Sequence, residues 1–361
     1  MFRQDRTNPS KAVSNWKGRL DSKRGHPSTL VSNWTNGALF GGGAVLYAGY
    51  IAGGPSARAL TAEQLSFPDE VGSVVPDVIS LVVGYASGCA NNEVAGYTGS
   101  GYNSGYYPAG ALKMSKWMFA TRVRVNLTDI TCVYVATNQG GPGYGYGSYS
   151  NSGVAGYMAT GSGRCNSSAY EAFTTASAIK TLYSNDTQSI VHPAVTLGSH
   201  DYGGTAGLYA GDASQNSGVA GYYAGGIRAT QSDQIDKMPF STETPAMLGV
   251  SARMATGAYY TRCTANQGTA QYIFPGSHAT GDIDKLAFSS DTTSVVATDL
   301  SSARSYMGCF TDSNVAFYVS DATAGSTYDR FALPSDTRSV IGGMTDGRTG
   351  GPSSFSNQAD F

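Results

Sequence analysis

The side chains of this chain best suited to acid–base or metal chemistry recur in a fixed phrase. One copy reads Ile283-Asp-Lys-Leu-Ala-Phe288-Ser-Ser-Asp291-Thr292. A second reads Ile235-Asp-Lys-Met-Pro-Phe240-Ser-Thr-Glu243-Thr244, and a third Tyr328-Asp-Arg-Phe-Ala-Leu333-Pro-Ser-Asp336-Thr337. Fainter copies centre on Tyr183, Phe119 and Phe67. An acid and a base set in a hydrophobic frame could work as a proton-transfer pair. Yet a side chain repeated in every unit of an array serves the array. Lys180, Lys237, Lys285 and Arg330 therefore read as contacts between units or as solvated positions. The Ser-Asp-Thr and Thr-Glu-Thr steps fall where the chain must reverse. Their side chains can bond nearby backbone, which makes turn chemistry the expected role.

Other chemistries find little material. His26, His192, His200 and His278 show no HxH or HExxH spacing, so no metal site is expected. A copper-radical centre would need clustered Tyr, Cys and His. Paired carboxylates for glycoside cleavage stay open, because separation in space is not visible in a sequence. Cys89, Cys132, Cys165, Cys263 and Cys309 form no CxxC pair and suggest neither a disulfide framework nor a zinc site. Cys89, Cys263 and Cys309 occupy equivalent places in three units, where a small buried side chain suits the packing. No catalytic residue and no cofactor is expected.

The elements that must carry these residues are short strands. A second phrase alternates with the first: Tyr47-Ala-Gly-Tyr50, Val94-Ala-Gly-Tyr97, Val154-Ala-Gly-Tyr157, Val219-Ala-Gly-Tyr222, Thr269-Ala-Gln-Tyr272 and Val315-Ala-Phe-Tyr318. Two independent motifs thus give six copies in the same order. Each unit resolves into four strands; in the last they fall at 305–310, 315–319, 329–333 and 339–344. With 47 Gly, 24 Tyr and only 13% charged residues, the composition suits strands joined by glycine-rich turns rather than helices.

Six four-stranded antiparallel units predict an all-β fold, a six-bladed β-propeller over residues 37–348. An extended arm (1–36) precedes it and a tail (349–361) follows. Whether either tail closes the ring is left open. The repeat resembles the kelch class: Arg253 and Arg304 precede inner strands, and Gly53-Gly54 and Gly225-Gly226 end second strands. It departs from that class in lacking the tryptophan after the third strand and, in four copies, the double glycine. Phrases similar to Ile283–Thr292 occur in the kelch-like repeats of tailed-phage structural proteins. The resemblance implies a non-enzymatic virion component, a tail or capsid appendage assembled in the host cytoplasm. The alternative is a carbohydrate-binding or carbohydrate-processing enzyme on the same scaffold.

Charge and loop composition complete the expectation. Seven of the 23 Lys/Arg and two of the 25 Asp/Glu lie in residues 1–36, so the arm is basic and the remainder acidic. The acidic body lacks a basic stripe, which argues against a nucleic-acid partner. No stretch has the length and continuity of a membrane span or a signal peptide. The arm is expected to anchor the chain to other virion proteins, with Trp16 and Trp34 as contacts. Residues 98–112, 138–153 and 158–177 are Tyr/Gly/Ser loops. In these, Tyr102, Tyr106, Tyr107, Tyr144, Tyr146, Tyr149 and Tyr170 are the candidate binding residues, for a partner or a host-surface polysaccharide or receptor.

Overall fold

The computed structural model describes residues 47–53, 60–79, 87–91, 94–99, 114–127, 148–159, 162–163, 173–174, 178–191, 213–216, 219–225, 232–257, 261–266, 268–274, 281–304, 307–312, 315–320, 327–345 and 352–357. These form six antiparallel sheets of four strands, and among the described residues helix is confined to one 3-10 turn at Val250–Ala252. The first sheet contains β1 (Ala48–Ala52), β2 (Ala62–Ser66) and β3 (Gly72–Val75). The second holds β4 (Ser87–Asn91), β5 (Ala95–Gly99), β6 (Met114–Met118) and β7 (Val123–Asn126).

In the third, β8 (Ser148–Asn151) and β9 (Ala155–Ala159) are followed by a small separate hairpin, β10 (Ser162–Gly163) with β11 (Phe173–Thr174). The sheet then continues with β12 (Ala178–Leu182) and β13 (Gln188–Val191). The fourth contains β14 (Ala213–Asn216), β15 (Ala220–Ala224), β16 (Ile235–Pro239) and β17 (Ala246–Met247). The fifth contains β18 (Arg262–Asn266), β19 (Ala270–Phe274), β20 (Asp284–Ala287) and β21 (Thr292–Val295). The sixth contains β22 (Cys309–Asp312), β23 (Ala316–Ser320), β24 (Thr327–Ala332) and β25 (Thr337–Gly342).

The first sheet takes its fourth strand from the far end of the chain. β26 (Ser353–Ser356) pairs antiparallel with β1, Tyr50 opposite Phe355, giving the order β26-β1-β2-β3. The segment expected to be a tail, 349–361, thus contains a sheet strand, and the repeat extends past residue 348. Asn357 fixes the join: its N–H donates to the Ala48 carbonyl at 3.1 Å, and its Oδ1 accepts the Ala48 N–H at 2.6 Å. One edge strand of each sheet, here termed the inner strand, lies beside that of the next: β26, β4, β8, β14, β18 and β22 follow in this order, with β22 beside β26.

The core sits between sheets rather than on one side of each. Second strands β1, β5, β15, β19 and β23 are buried at every position, so both faces pack. One cluster joins Tyr222 of the fourth sheet to Leu286 and Phe288 of the fifth; another joins Tyr272 to Phe317 and Phe331; a third joins Tyr318 and Phe310 to Ile51, Leu65 and Phe67. The glycine of the Ala-Gly-Tyr phrase is a packing requirement. A Cβ on Gly49 would overlap the Phe310 ring of the sixth sheet, and one on Gly96 the Phe355 ring of β26.

Candidate functional site

The repeated chemistry converges on the seams between successive sheets. Tyr97 stands directly opposite Lys116 across β5 and β6, and the same register sets Tyr157 by Lys180, Tyr222 by Lys237, Tyr272 by Lys285 and Tyr318 by Arg330. Residues directly opposite in neighbouring strands present their side chains on the same face. Across the seam stands the acid of the next sheet. Asp186 accepts the Tyr97 hydroxyl at 2.8 Å and Lys116 at 2.8 Å. Asp291 accepts Tyr222 at 3.0 Å and Lys237 at 2.8 Å; Asp336 accepts Tyr272 and Lys285, each at 2.6 Å. Glu243 accepts Tyr157 at 2.8 Å and pairs with Lys180. The fifth clasp returns to the start: Glu70 accepts Tyr318 at 2.9 Å and Arg330 at 2.7 Å.

Backbone conformation aims the acids. Glu70, Asp186, Glu243, Asp291 and Asp336 all have φ between 50° and 57°. This left-handed conformation is one that Asp tolerates better than most residues. The turn reading thus accounts for the backbone, while the carboxylates reach the neighbouring sheet. Local turn bonds fall instead to flanking hydroxyls and amides, such as Ser66 Oγ to the Val71 carbonyl and Thr187 N–H to Asn185 Oδ1.

Electrostatics match the geometry. Burial and the carboxylate it donates to push the phenol pKa of Tyr157, Tyr272 and Tyr318 up, so each stays a donor. For Lys237 burial favours loss of the proton, but the bonds and charges of Asp291 and Tyr222 together outweigh it and raise its pKa. Burial likewise acts upward on Glu243, and the Lys180 and Tyr157 bonds bring it below its ordinary value. The ammonium groups of Lys116, Lys180, Lys237 and Lys285 also lie 5.1–5.6 Å from the ring centroid of their tyrosine, within cation–π range.

The residue before the base works in the other direction. Asp329 Oδ2 accepts Ser301 N–H at 2.8 Å and pairs with Arg304 at 2.6 Å, on the connection arriving from the fifth sheet. Asp284 accepts Ala255 N–H at 3.2 Å, and Glu63 accepts Thr345 N–H and Oγ1, each at 2.6 Å. The Asp-Lys pair therefore reaches backward with its acid and forward with its base.

At the seam from the first sheet to the second the pattern changes. Tyr50 faces Gln64 instead of a cation, and the turn position holds Arg122, φ 55°. Tyr50 still stacks on Phe119 at 5.5 Å, as Tyr222 stacks on Phe288 at 4.8 Å and Tyr318 on Phe67 at 5.4 Å. The frame is kept and the charges are changed. This difference is legible in the aligned copies, where Gln64 and Arg122 stand out.

Of the expected binding residues, Tyr102, Tyr106, Tyr107, Tyr144, Tyr146 and Tyr170 lie outside the described residues, as do Trp16 and Trp34. Tyr149 does not stand in a loop. Its backbone lies in β8, opposite Met158, so part of the segment 138–153 is an inner strand. Cys263 and Cys309 are buried thiols, and Cys309 Sγ contacts the Cys263 carbonyl at 3.2 Å. Among the described residues no group of three or more His, Cys, Asp or Glu is placed to hold a metal, and no helix is long and apolar enough to cross a membrane. No protein-family model and no curated protein matches the chain.

Proposed function

We propose that this chain is a six-bladed β-propeller serving as a non-catalytic interaction scaffold, built into a virus particle as a tail or capsid appendage. The closed-ring reading is supported by the cyclic succession of inner strands and by β26, which seats the C-terminal segment in the first sheet. One observation carries the non-catalytic reading. Tyr, Lys/Arg and acid are engaged with one another at five seams, including the one from the sixth sheet back to the first. Acids and bases held this way are not available as general acids or nucleophiles without breaking the seam.

Recognition then falls to the segments between strands. Residues 100–113 join β5 to β6, and 160–177 include the link from β9 to β12; both are rich in the Tyr, Gly and Ser that adaptable binding surfaces use. The virion setting rests on the resemblance of Ile283–Thr292 to phage structural repeats. Mass spectrometry of purified particles tests it: the protein should be recovered in fixed stoichiometry to the other virion proteins. Recovery from host cytosol alone overturns the setting.

A further inference from the structure

The odd seam between the first and second sheets has a chemistry of its own. In the other five, a carboxylate from the following sheet receives a phenol O–H and a cation N–H. Here the phenol of Tyr50 is held in the equivalent place by its stack on Phe119 and by a stack on Phe355 at 5.3 Å. Gln64 supplies an amide in place of the ammonium, in the same register. Arg122 occupies the turn residue that elsewhere carries the acid, its N–H bonded to the Met118 carbonyl as Glu243 N–H is bonded to that of Pro239. The seam thus sets a hydroxyl, an amide and an arginine at the three clasp positions, and among the described residues no acid stands at the acceptor position. Among the described residues neither Tyr50 Oη nor the Arg122 guanidinium has a hydrogen-bond partner. Gln64 is buried, 3% exposed, and its Oε1 accepts no hydrogen bond. Arg122 is exposed; burial pushes the Tyr50 phenol pKa up, and the Arg122 charge opposes that rise.

We infer that this seam is an anion site that takes a carboxylate from outside the seam, received by Arg122 and the Tyr50 hydroxyl as the internal acids are received elsewhere. Guanidinium suits this role because its fork matches a carboxylate in two-point geometry. A carboxylate here would also restore the charge balance that the other five seams have internally. The inference does not rest on the virion setting or on the Tyr/Gly segments. The carboxylate could arrive as a small free acid or as an Asp or Glu side chain of a partner protein, and the test separates the two.

Thermal unfolding of the full chain would be followed in sodium chloride and in sodium acetate or glutarate at matched ionic strength, and separately with a hexaglutamate peptide. The variants are Arg122→Ala and the double change Gln64→Lys with Arg122→Asp, which builds the internal clasp into the seam. Wild type should gain a few degrees at saturating carboxylate, as expected for ligand binding to the native state alone. Both variants should lose that response, with at least tenfold weaker apparent affinity. A response to the small acids marks a metabolite-type ligand; one to the peptide alone marks a protein partner. Equal shifts in wild type and the double variant, or no shift in wild type with any carboxylate, overturn the inference.

Discussion

Arg330 donates to Glu70 at 2.7 Å, joining two residues 260 positions apart and tying the sixth sheet to the first. The same contact type joins neighbours elsewhere, so the chain treats its longest-range seam as it treats a local one. Glu70→Gln keeps an acceptor for Tyr318 but removes the charge. It should lower stability by about 1 kcal/mol, since the pair is partly exposed and screened. Glu243→Gln, at an internal seam, should cost about the same. The comparison by chemical denaturation is diagnostic: a silent Glu70→Gln beside a damaging Glu243→Gln would mean that the sixth and first sheets do not hold together in solution.

The C-terminal strand should matter more than its length suggests. Deleting residues 352–361 removes β26, leaves β1 as an unpaired edge and strips Phe355 from Tyr50 and from Gly96. An exposed apolar edge of this kind promotes aggregation. The expected product is insoluble or unfolds over a broad range. Asn357→Ala is the gentler form, removing one buried acceptor from Ala48 N–H at a cost of about 1–3 kcal/mol. A truncated chain that stays soluble with unchanged cooperativity would show that β26 is dispensable.

How much of this was legible follows from what each strand must do. Second strands are small, apolar and aromatic against two neighbours, third strands set charged residues among apolar ones, and their phrases give the unit count and the bounds of the last unit to within a few residues. Inner strands obey a different rule. They lie against the corresponding strands of neighbouring sheets and read Ser-Gly-Cys-Ala-Asn, Ser-Tyr-Ser-Asn or Ser-Ser-Phe-Ser, with few of the β-branched residues that mark strands elsewhere. Hence Tyr149 reads as loop and residues 353–356 as tail. A signal was present: Phe355-Ser-Asn357 repeats the ending of Tyr149-Ser-Asn151 and Phe310-Thr-Asp312. The acids were legible as turn residues but not as seam partners, because the bond runs to a different repeat.

Gly49 and Gly96 should tolerate no side chain while their aromatic neighbours stand. Gly49→Ala is expected to cost about 1–3 kcal/mol by overpacking against Phe310. Shortening the neighbour should recover part of this, so Gly49→Ala with Phe310→Leu ought to be more stable than the sum of the single changes predicts. Strict additivity in that double-mutant cycle would place the cost in the backbone rather than in the contact.

Asp284 sets a pH dependence of known sign. Burial raises its carboxyl pKa to about 6, the Asp282 charge adds to the rise, and the Ala255 N–H only partly opposes it. The unfolded value is near the ordinary 3.8. A carboxyl whose folded pKa is the higher one contributes stability that is fully present below about pH 4 and lost as pH rises through 6. Because the side chain is partly exposed, the loss should be about 1 kcal/mol rather than the full value of a two-unit shift. Asp284→Asn keeps an oxygen for Ala255 N–H and removes the titration. Urea midpoints at pH 4 and pH 6.5 should therefore differ less in the variant than in wild type, and the variant should be the more stable at pH 6.5. An identical pH slope in both proteins would assign the dependence to other carboxylates, with Glu243 and its pulled-down pKa acting in the opposite sense.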